Sequence, residues 1–273
     1  MATEAFAPAK INLSLHVTGR RADGYHLLDS LVAFADVGDT LILSPGPEIR
    51  LTVTGPHSAG VPTDDRNLVW RAAQAMGWSG QIQLDKVLPH GGGIGSGSSD
   101  AAATLRAIAG QDAEVPLETA LALGADVPVC VLGRAARMRG IGDRVAPVAL
   151  PALPALLVNP GVPVPTGPVF NALASRDNPG MPDEIPAFET PEACADWLAG
   201  QRNDLQEAAI GLAPQISDVL QALGETRDVL LVRMSGSGST CFALYPSMKA
   251  AHFAAYEIGV SQPDWWCRAS VLS

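Results

Sequence analysis

The chain has 273 residues, 47% of them hydrophobic, which is enough for one large or two modest cores and excludes a disordered or fibrous protein. Its 18 basic and 28 acidic residues leave a formal net charge of −10, which argues against a general nucleic-acid or anionic-membrane surface and favours a small partner. Cys130, Cys194, Cys241 and Cys267 lack C-x-x-C spacing, no apolar run reaches membrane-spanning length and the first twenty residues lack a signal-peptide centre, so a cytoplasmic protein without a zinc site or disulfide framework is expected.

In chain order, Ile11, Leu13, Leu15 and Val17 alternate with Asn12, Ser14 and His16, a period of two that predicts a half-buried strand with Lys10 on the polar face. A polar loop at residues 18–26 leads to an apolar segment at 31–34, and residues 40–53 read as a hairpin about Ser-Pro-Gly-Pro. Asp65-Arg66-Asn67 precedes a predicted helix ending near Met76, and residues 81–88 alternate as a strand. The first half thus reads as mixed α/β, with hairpins in place of regular βαβ repeats.

The strand runs into Pro89-His-Gly-Gly-Gly-Ile-Gly-Ser-Gly-Ser-Ser-Asp, where Gly91, Gly92, Gly93, Gly95 and Gly97 fall within seven positions before an alanine-rich helix. Such a loop can turn backbone N–H groups onto an anion, phosphate above all, with Ser98, Ser99 and Asp100 starting the helix. It has no Gly-Lys-Ser/Thr, and G-x-G-x-x-G does not fit it, so neither a P-loop nor a dinucleotide fingerprint is present. Gly97-Ser98-Ser99-Asp100-Ala101 approaches a nucleophile elbow, and this keeps a serine hydrolase as a rival, although His252 is the sole later histidine and lies in an ordinary amphipathic stretch.

A helix is predicted over 117–124, followed by Asp126 among apolar residues, where a carboxylate either caps a turn or does chemistry. Proline is dense from 145 to 168, and strands are expected near 155–158, 229–234, 240–244 and 266–272 with helices between them. The fold class is α+β, divided near residue 145 into domains 1–145 and 146–273. Met234-Ser235-Gly236-Ser237-Gly238 is a second glycine-serine turn, here between two strands. Alone it reads as a tight hairpin; with the first loop it suits a ligand held between two lobes.

Taken together, Pro8-Ala9-Lys10-Ile11-Asn12-Leu13, the glycine loop, Leu123-Gly124-Ala125-Asp126-Val127-Pro128 and Met234-Ser-Gly-Ser-Gly resemble the GHMP family of small-molecule kinases. The resemblance implies a ribosomal-protein-S5-like N-terminal lobe that binds ATP and a ferredoxin-like C-terminal lobe for the substrate. Thr18-Gly-Arg-Arg-Ala-Asp-Gly-Tyr25-His26 further implies, as acceptor, the 2-hydroxyl of a cytidine-diphosphate-linked sugar alcohol of the non-mevalonate isoprenoid route. Another family kinase, acting on mevalonate, homoserine or a sugar, and a non-catalytic nucleotide-binding protein are the alternatives.

On this resemblance Asp126 is the general base and Lys10 the cation beside the developing alkoxide. ATP falls to Pro89, Gly91, Gly92, Gly93, Ile94, Gly95, Ser96, Gly97, Ser98 and Ser99, with Asn67, Leu68, Lys86 and His90 lining the adenine pocket. Asn12 positions the acceptor, Tyr25 and His26 recognise cytosine, and Ser235, Gly236, Ser237 and Gly238 form a second loop at the site. Ser96 stands where the family usually has glycine. Arg202 stands where many relatives offer an aromatic residue, and its planar guanidinium can stack on the base. Mg2+ is expected with ATP, on ligands that the sequence does not identify, in a monomer or weak homodimer that binds neither nucleic acid nor membrane.

Overall fold

The period-two pattern at Ile11–Val17 belongs to a much longer strand, β1 (Thr3–Arg20), paired with β2 (His26–Pro45) across the polar turn at 21–25. The structure, a computed structural model, describes residues 2–110 and 113–273. Two compact units make up the chain: one takes residues up to Lys10, 37–90 and 95–133, the other 11–36, 91–94 and 134–273. Both long strands run from one unit into the other, so the units interleave in sequence.

The first unit contains β3 (Arg50–Thr54), α1 (Leu68–Ala75), β4 (Gly80–Asp85), α2 (Ser96–Ala109), α3 (Leu117–Leu123) and α4 (Val127–Leu132). The expected hairpin over 40–53 does not form. β4 lies between the two segments, antiparallel to β2 with Leu43 opposite Ile82 and parallel to β3 with Leu51 opposite the same residue. Parallel neighbours need a crossover, and α1 supplies it, so β3, α1 and β4 are a βαβ unit where hairpins were expected. The arrangement gives β4 a partner on each side and buries Ile82 and Leu84 against Leu41, Leu43, Val69, Ala73 and Ala103. Each such leucine or isoleucine is worth about 1.5–3 kcal/mol when fully buried. Asn67 caps α1 by accepting from the Val69 N–H at 2.9 Å.

In the second unit, β5 (Ala136–Gly140) pairs with the first half of β2, and β6 (Arg144–Pro147) pairs with β5. On from β2 the sheet continues, through Leu272 opposite Ala35, into β10 (Trp266–Leu272), β7 (Leu153–Asn159), β9 (Cys241–Leu244) and β8 (Leu231–Met234), all neighbours antiparallel. The intervening helices are α5 (Thr166–Asn171), α6 (Pro191–Ala199), α7 (Gln206–Leu212), α8 (Gln215–Gly224) and α9 (Met248–Ser261). Leu15, Val17, Leu156, Val158, Ile216, Val219, Met234, Ala243, Ala251 and Ile258 fill their core. The α+β class stands, and the expected strands in this half correspond to β7 to β10, with β8 beginning two residues and β9 one residue later than expected. Among the described residues no helix is long and apolar enough to cross a membrane.

Candidate active site

The helix after the glycine loop begins earlier than expected. α2 starts at Ser96, with Gly95 as its N-cap in the left-handed region at φ 60° and no side chain capping the first turn. Ser98, Ser99 and Asp100, expected to open the helix, are already inside it, because the one residue free to adopt that cap conformation without strain is the glycine. First-turn N–H groups without intrahelical partners, at the positive end of a 14-residue helix, are an anion-binding arrangement. A Cβ on Gly95 would stand 3.1 Å from Lys10 Cε, so the bare backbone there also gives the lysine its room.

Lys10 is 3% exposed, and its Nζ donates to Asp126 Oδ2 at 2.7 Å. Asp126 sits at the N-cap position of α4, yet its carboxylate makes no cap hydrogen bond. The carboxylate therefore does not serve as a turn cap; its partner is the Lys10 ammonium. Ser99 Oγ donates to Pro8 O at 2.7 Å, tying α2 to β1 two residues before Lys10.

Ser96 points inward. Its hydroxyl accepts from Lys86, whose Nζ also donates to Asp39 Oδ2 at 2.5 Å and to Asp100 Oδ2 at 2.8 Å. Asp39 Oδ1 in turn accepts from the Val87 and Leu88 N–H groups at 2.7 and 2.9 Å, whereas Asp100 Oδ1 is buried without a partner. Burial, with Asp39 adding to it, pushes the Asp100 carboxyl up to about 7 against the pull of the Lys86 ammonium. Burial opposes the charge on Lys86, but the two carboxylates outweigh it and its pKa is raised. The lysine expected in the adenine pocket is thus 2% exposed and occupied inside the unit. Asn67 is engaged as the α1 cap, Leu68 is the first residue of α1, and His90 lies exposed at the loop entrance.

The second unit brings the two glycine motifs together. Ser235 Oγ donates to Gly93 O at 2.9 Å and accepts from the Asn12 N–H at 3.0 Å, and the Thr240 N–H donates to Gly92 O at 3.0 Å. Gly93 is at φ +75°, and a Cβ on it would lie 2.4 Å from Ser235 O. Its missing side chain therefore serves loop-to-loop contact as well as conformation. Asn203, which sequence reasoning passed over, donates to Met234 O and Gly236 O at 2.8 and 2.9 Å and so holds the second loop; Ser237 pairs with Thr166 at 2.9 Å.

Asn12 Nδ2 donates to Ser30 Oγ at 2.8 Å, leaving Oδ1 buried with no donor. A buried amide oxygen without a partner is costly and marks a place where a ligand donor is wanted. Tyr25 is 59% exposed. The His26 ring stacks on Phe170, a residue not singled out from the sequence, with centroids 4.6 Å apart and an interplanar angle of 23°. Burial, then Arg20 and Arg176, lowers the His26 pKa, so the imidazole is neutral at pH 7 and can donate at one nitrogen and accept at the other. Its buried Nε2 has no partner. Arg202 is engaged elsewhere: Nε donates to Asp204 at 2.5 Å and the guanidinium also reaches Pro179 O, so its described partners include neither Tyr25 nor His26.

Helix amides open to an anion, and a carboxylate already in contact with an ammonium, are what direct phosphoryl transfer to a hydroxyl asks for; a small-molecule kinase is the class they define. The sequence matches the GHMP kinases N terminal domain over residues 67–142 and the GHMP kinases C terminal over 185–258. It is 55% identical over 269 residues to the 4-diphosphocytidyl-2-C-methyl-D-erythritol kinase of Dinoroseobacter shibae, covering 98% of this chain and 94% of that one. The kinase of the same name from Paracoccus denitrificans is 50% identical over 268 residues, covering 98% and 96%. A crystal structure of 4-(cytidine 5'-diphospho)-2C-methyl-D-erythritol kinase superposes with a TM-score of 0.78 at 37% identity over 99% of both chains. Homoserine kinase from Cytophaga hutchinsonii shares the fold, with a TM-score of 0.64 at 22% identity over 100% of this chain and 94% of that one. The chain belongs to the GHMP kinase family.

Proposed function

We propose that the protein transfers the γ-phosphoryl group of ATP to the 2-hydroxyl of 4-diphosphocytidyl-2-C-methyl-D-erythritol, in the non-mevalonate route to isoprenoid precursors. The observation that carries this reading is the 2.7 Å contact of Lys10 with Asp126, in the same unit as the uncapped start of α2. The backbone from Gly91 to Gly97 and the first turn of α2 hold the ATP phosphates. Asp126 takes the proton of the acceptor hydroxyl as its oxygen bonds to the γ-phosphorus, the bond to the β,γ-bridging oxygen breaks and ADP leaves. Lys10 stands against the charge developing on the attacking oxygen.

Substrate choice rests on the second unit. Asn12 Oδ1 accepts a hydrogen bond from the acceptor alcohol, Tyr25 offers its exposed ring to the cytosine face, and His26, backed by Phe170, meets the pyrimidine edge. The relatives at 50–55% identity, named for this substrate, support the same choice. Among the described residues no cluster of three His, Cys, Asp or Glu forms a resident metal site. Mg2+ carried with ATP would neutralise phosphate charge there. Matches at 67–142 and 185–258 fall on either side of residue 145 and support a division into an N-terminal region 1–145, which carries the ATP loop, and a C-terminal region 146–273. A cytoplasmic monomer or weak homodimer completes the reading.

An ADP-release assay across acceptors tests it. The cytidine-diphosphate alcohol should be turned over in preference to mevalonate, homoserine and galactose; preference for any of those three overturns the substrate assignment.

A further inference from the structure

The nine residues from Val87 to Gly95 form the loop proposed to hold phosphate, and one ammonium grips the chain on both sides of it. On the entry side Lys86 itself follows β4, and Asp39 of β2 accepts from its Nζ and from the next two backbone N–H groups. On the exit side Ser96 and Asp100 are four residues apart on α2, hence on one face, and both accept from the same Nζ. An ammonium has three protons; here they meet three acceptors and none remains for a ligand. All four residues are at most 5% exposed.

We propose that Lys86, with Asp39, Asp100 and Ser96, is a positioning residue that clamps the entry and exit of the phosphate loop together, acting on ATP through the backbone it fixes and making no contact with the base. The inference rests on the kinase reading of the loop. A loop whose ends are fixed presents its amides already oriented, so less binding energy is lost in ordering them. Ser96 gives the clamp a third acceptor. Without it the Lys86 ammonium would reach α2 through Asp100 alone.

The two roles open to Lys86, base contact and loop positioning, separate when ATP is compared with adenosine. In Lys86→Met, ATP affinity by calorimetry should fall about tenfold or more, the scale of losing a charge-assisted hydrogen bond, while inhibition by adenosine changes less than about twofold. Ser96→Ala deletes one acceptor without stranding a charge. It should weaken ATP about two- to fivefold with adenosine again unmoved, and it decides the question if Lys86→Met does not fold. Equal losses for ATP and adenosine in either variant overturn the inference in favour of base contact, and unchanged ATP affinity overturns it outright. Failure of the parent chain to bind ATP at all would instead remove the kinase reading, and this inference with it.

Discussion

Lys10 and Asp126, 116 residues apart, meet through a 2.7 Å ion pair in which the lysine is buried and the aspartate is 34% exposed. One partner is fixed by the protein interior and the other keeps an open side. Asp126 makes no cap hydrogen bond to α4, so its carboxylate is engaged by the lysine and left otherwise open.

Asp126→Asn should therefore lower turnover by roughly two to four orders of magnitude, the usual contribution of a positioned general base, with ATP binding retained. Steady-state kinetics alongside nucleotide calorimetry check this. Near-normal turnover in a folded variant would reject Asp126 as the base.

Valine at either of two glycines should cost ATP affinity for different reasons. At Gly93 the new Cβ meets Ser235 O at 2.4 Å and drives the two glycine loops apart; at Gly95 it strains the α2 cap and presses on Lys10 Cε at 3.1 Å. Both variants should lose ATP affinity much more than acceptor affinity, with Ser96→Gly mild by comparison. Unchanged ATP binding in either valine variant contradicts the backbone account.

Cytosine recognition should follow the ring cluster. Tyr25→Ala should weaken the cytidine substrate about tenfold or more, on the scale of a base–aromatic stack. Phe170→Ala, which removes the support behind His26, should come close to it. Arg202→Ala should do less, since that guanidinium is held by Asp204 and Pro179. CDP binding as tight in Tyr25→Ala and Phe170→Ala as in the parent would count against the cytidine assignment.

Asp100 gives the fold a pH dependence of definite sign. Its carboxyl is pushed up to about 7, so between about 4 and 7 the folded chain holds a proton that the unfolded chain has released. Stability from this group is fully present below about pH 4 and is lost as pH rises through 7. The groups facing it are Lys86, Asp39, Ser96 and the Cys130 thiol of α4, which burial pushes up to about 12 and keeps neutral. Asp100→Asn removes the slope. Its Tm should match the parent's at about pH 4 and exceed it at pH 8; a difference that stays constant with pH excludes Asp100 as the titrating group.

Local chemistry made the glycine loop, the start of α1 after Asp65-Arg66-Asn67 and the Asp126 junction legible in the sequence. Each is a short-range pattern of neighbouring residues. What could not be read depends on partners far along the chain. Residues 40–53 carry the marks of a hairpin, but whether β4 inserts between the two segments is decided by where Ile82 and Leu84 find their core. β5 was missed because Arg137 looks like a surface residue; it is buried, bidentate to Asp29 108 positions away, at 2.8 and 2.6 Å. Phe170 reads as an ordinary core aromatic until it is seen behind His26, and the inward turn of Ser96 follows from Lys86 and Asp39, which no spacing rule connects.

The most direct test of direct phosphoryl transfer is to follow the reaction by phosphorus NMR, with ATP, Mg2+ and the cytidine-diphosphate methylerythritol. The account predicts one new phosphomonoester resonance on the acceptor, its diphosphate intact, growing in step with ADP and absent with Asp126→Asn. Inorganic phosphate as the sole product, or a new phosphomonoester formed at full rate by Asp126→Asn, would contradict it.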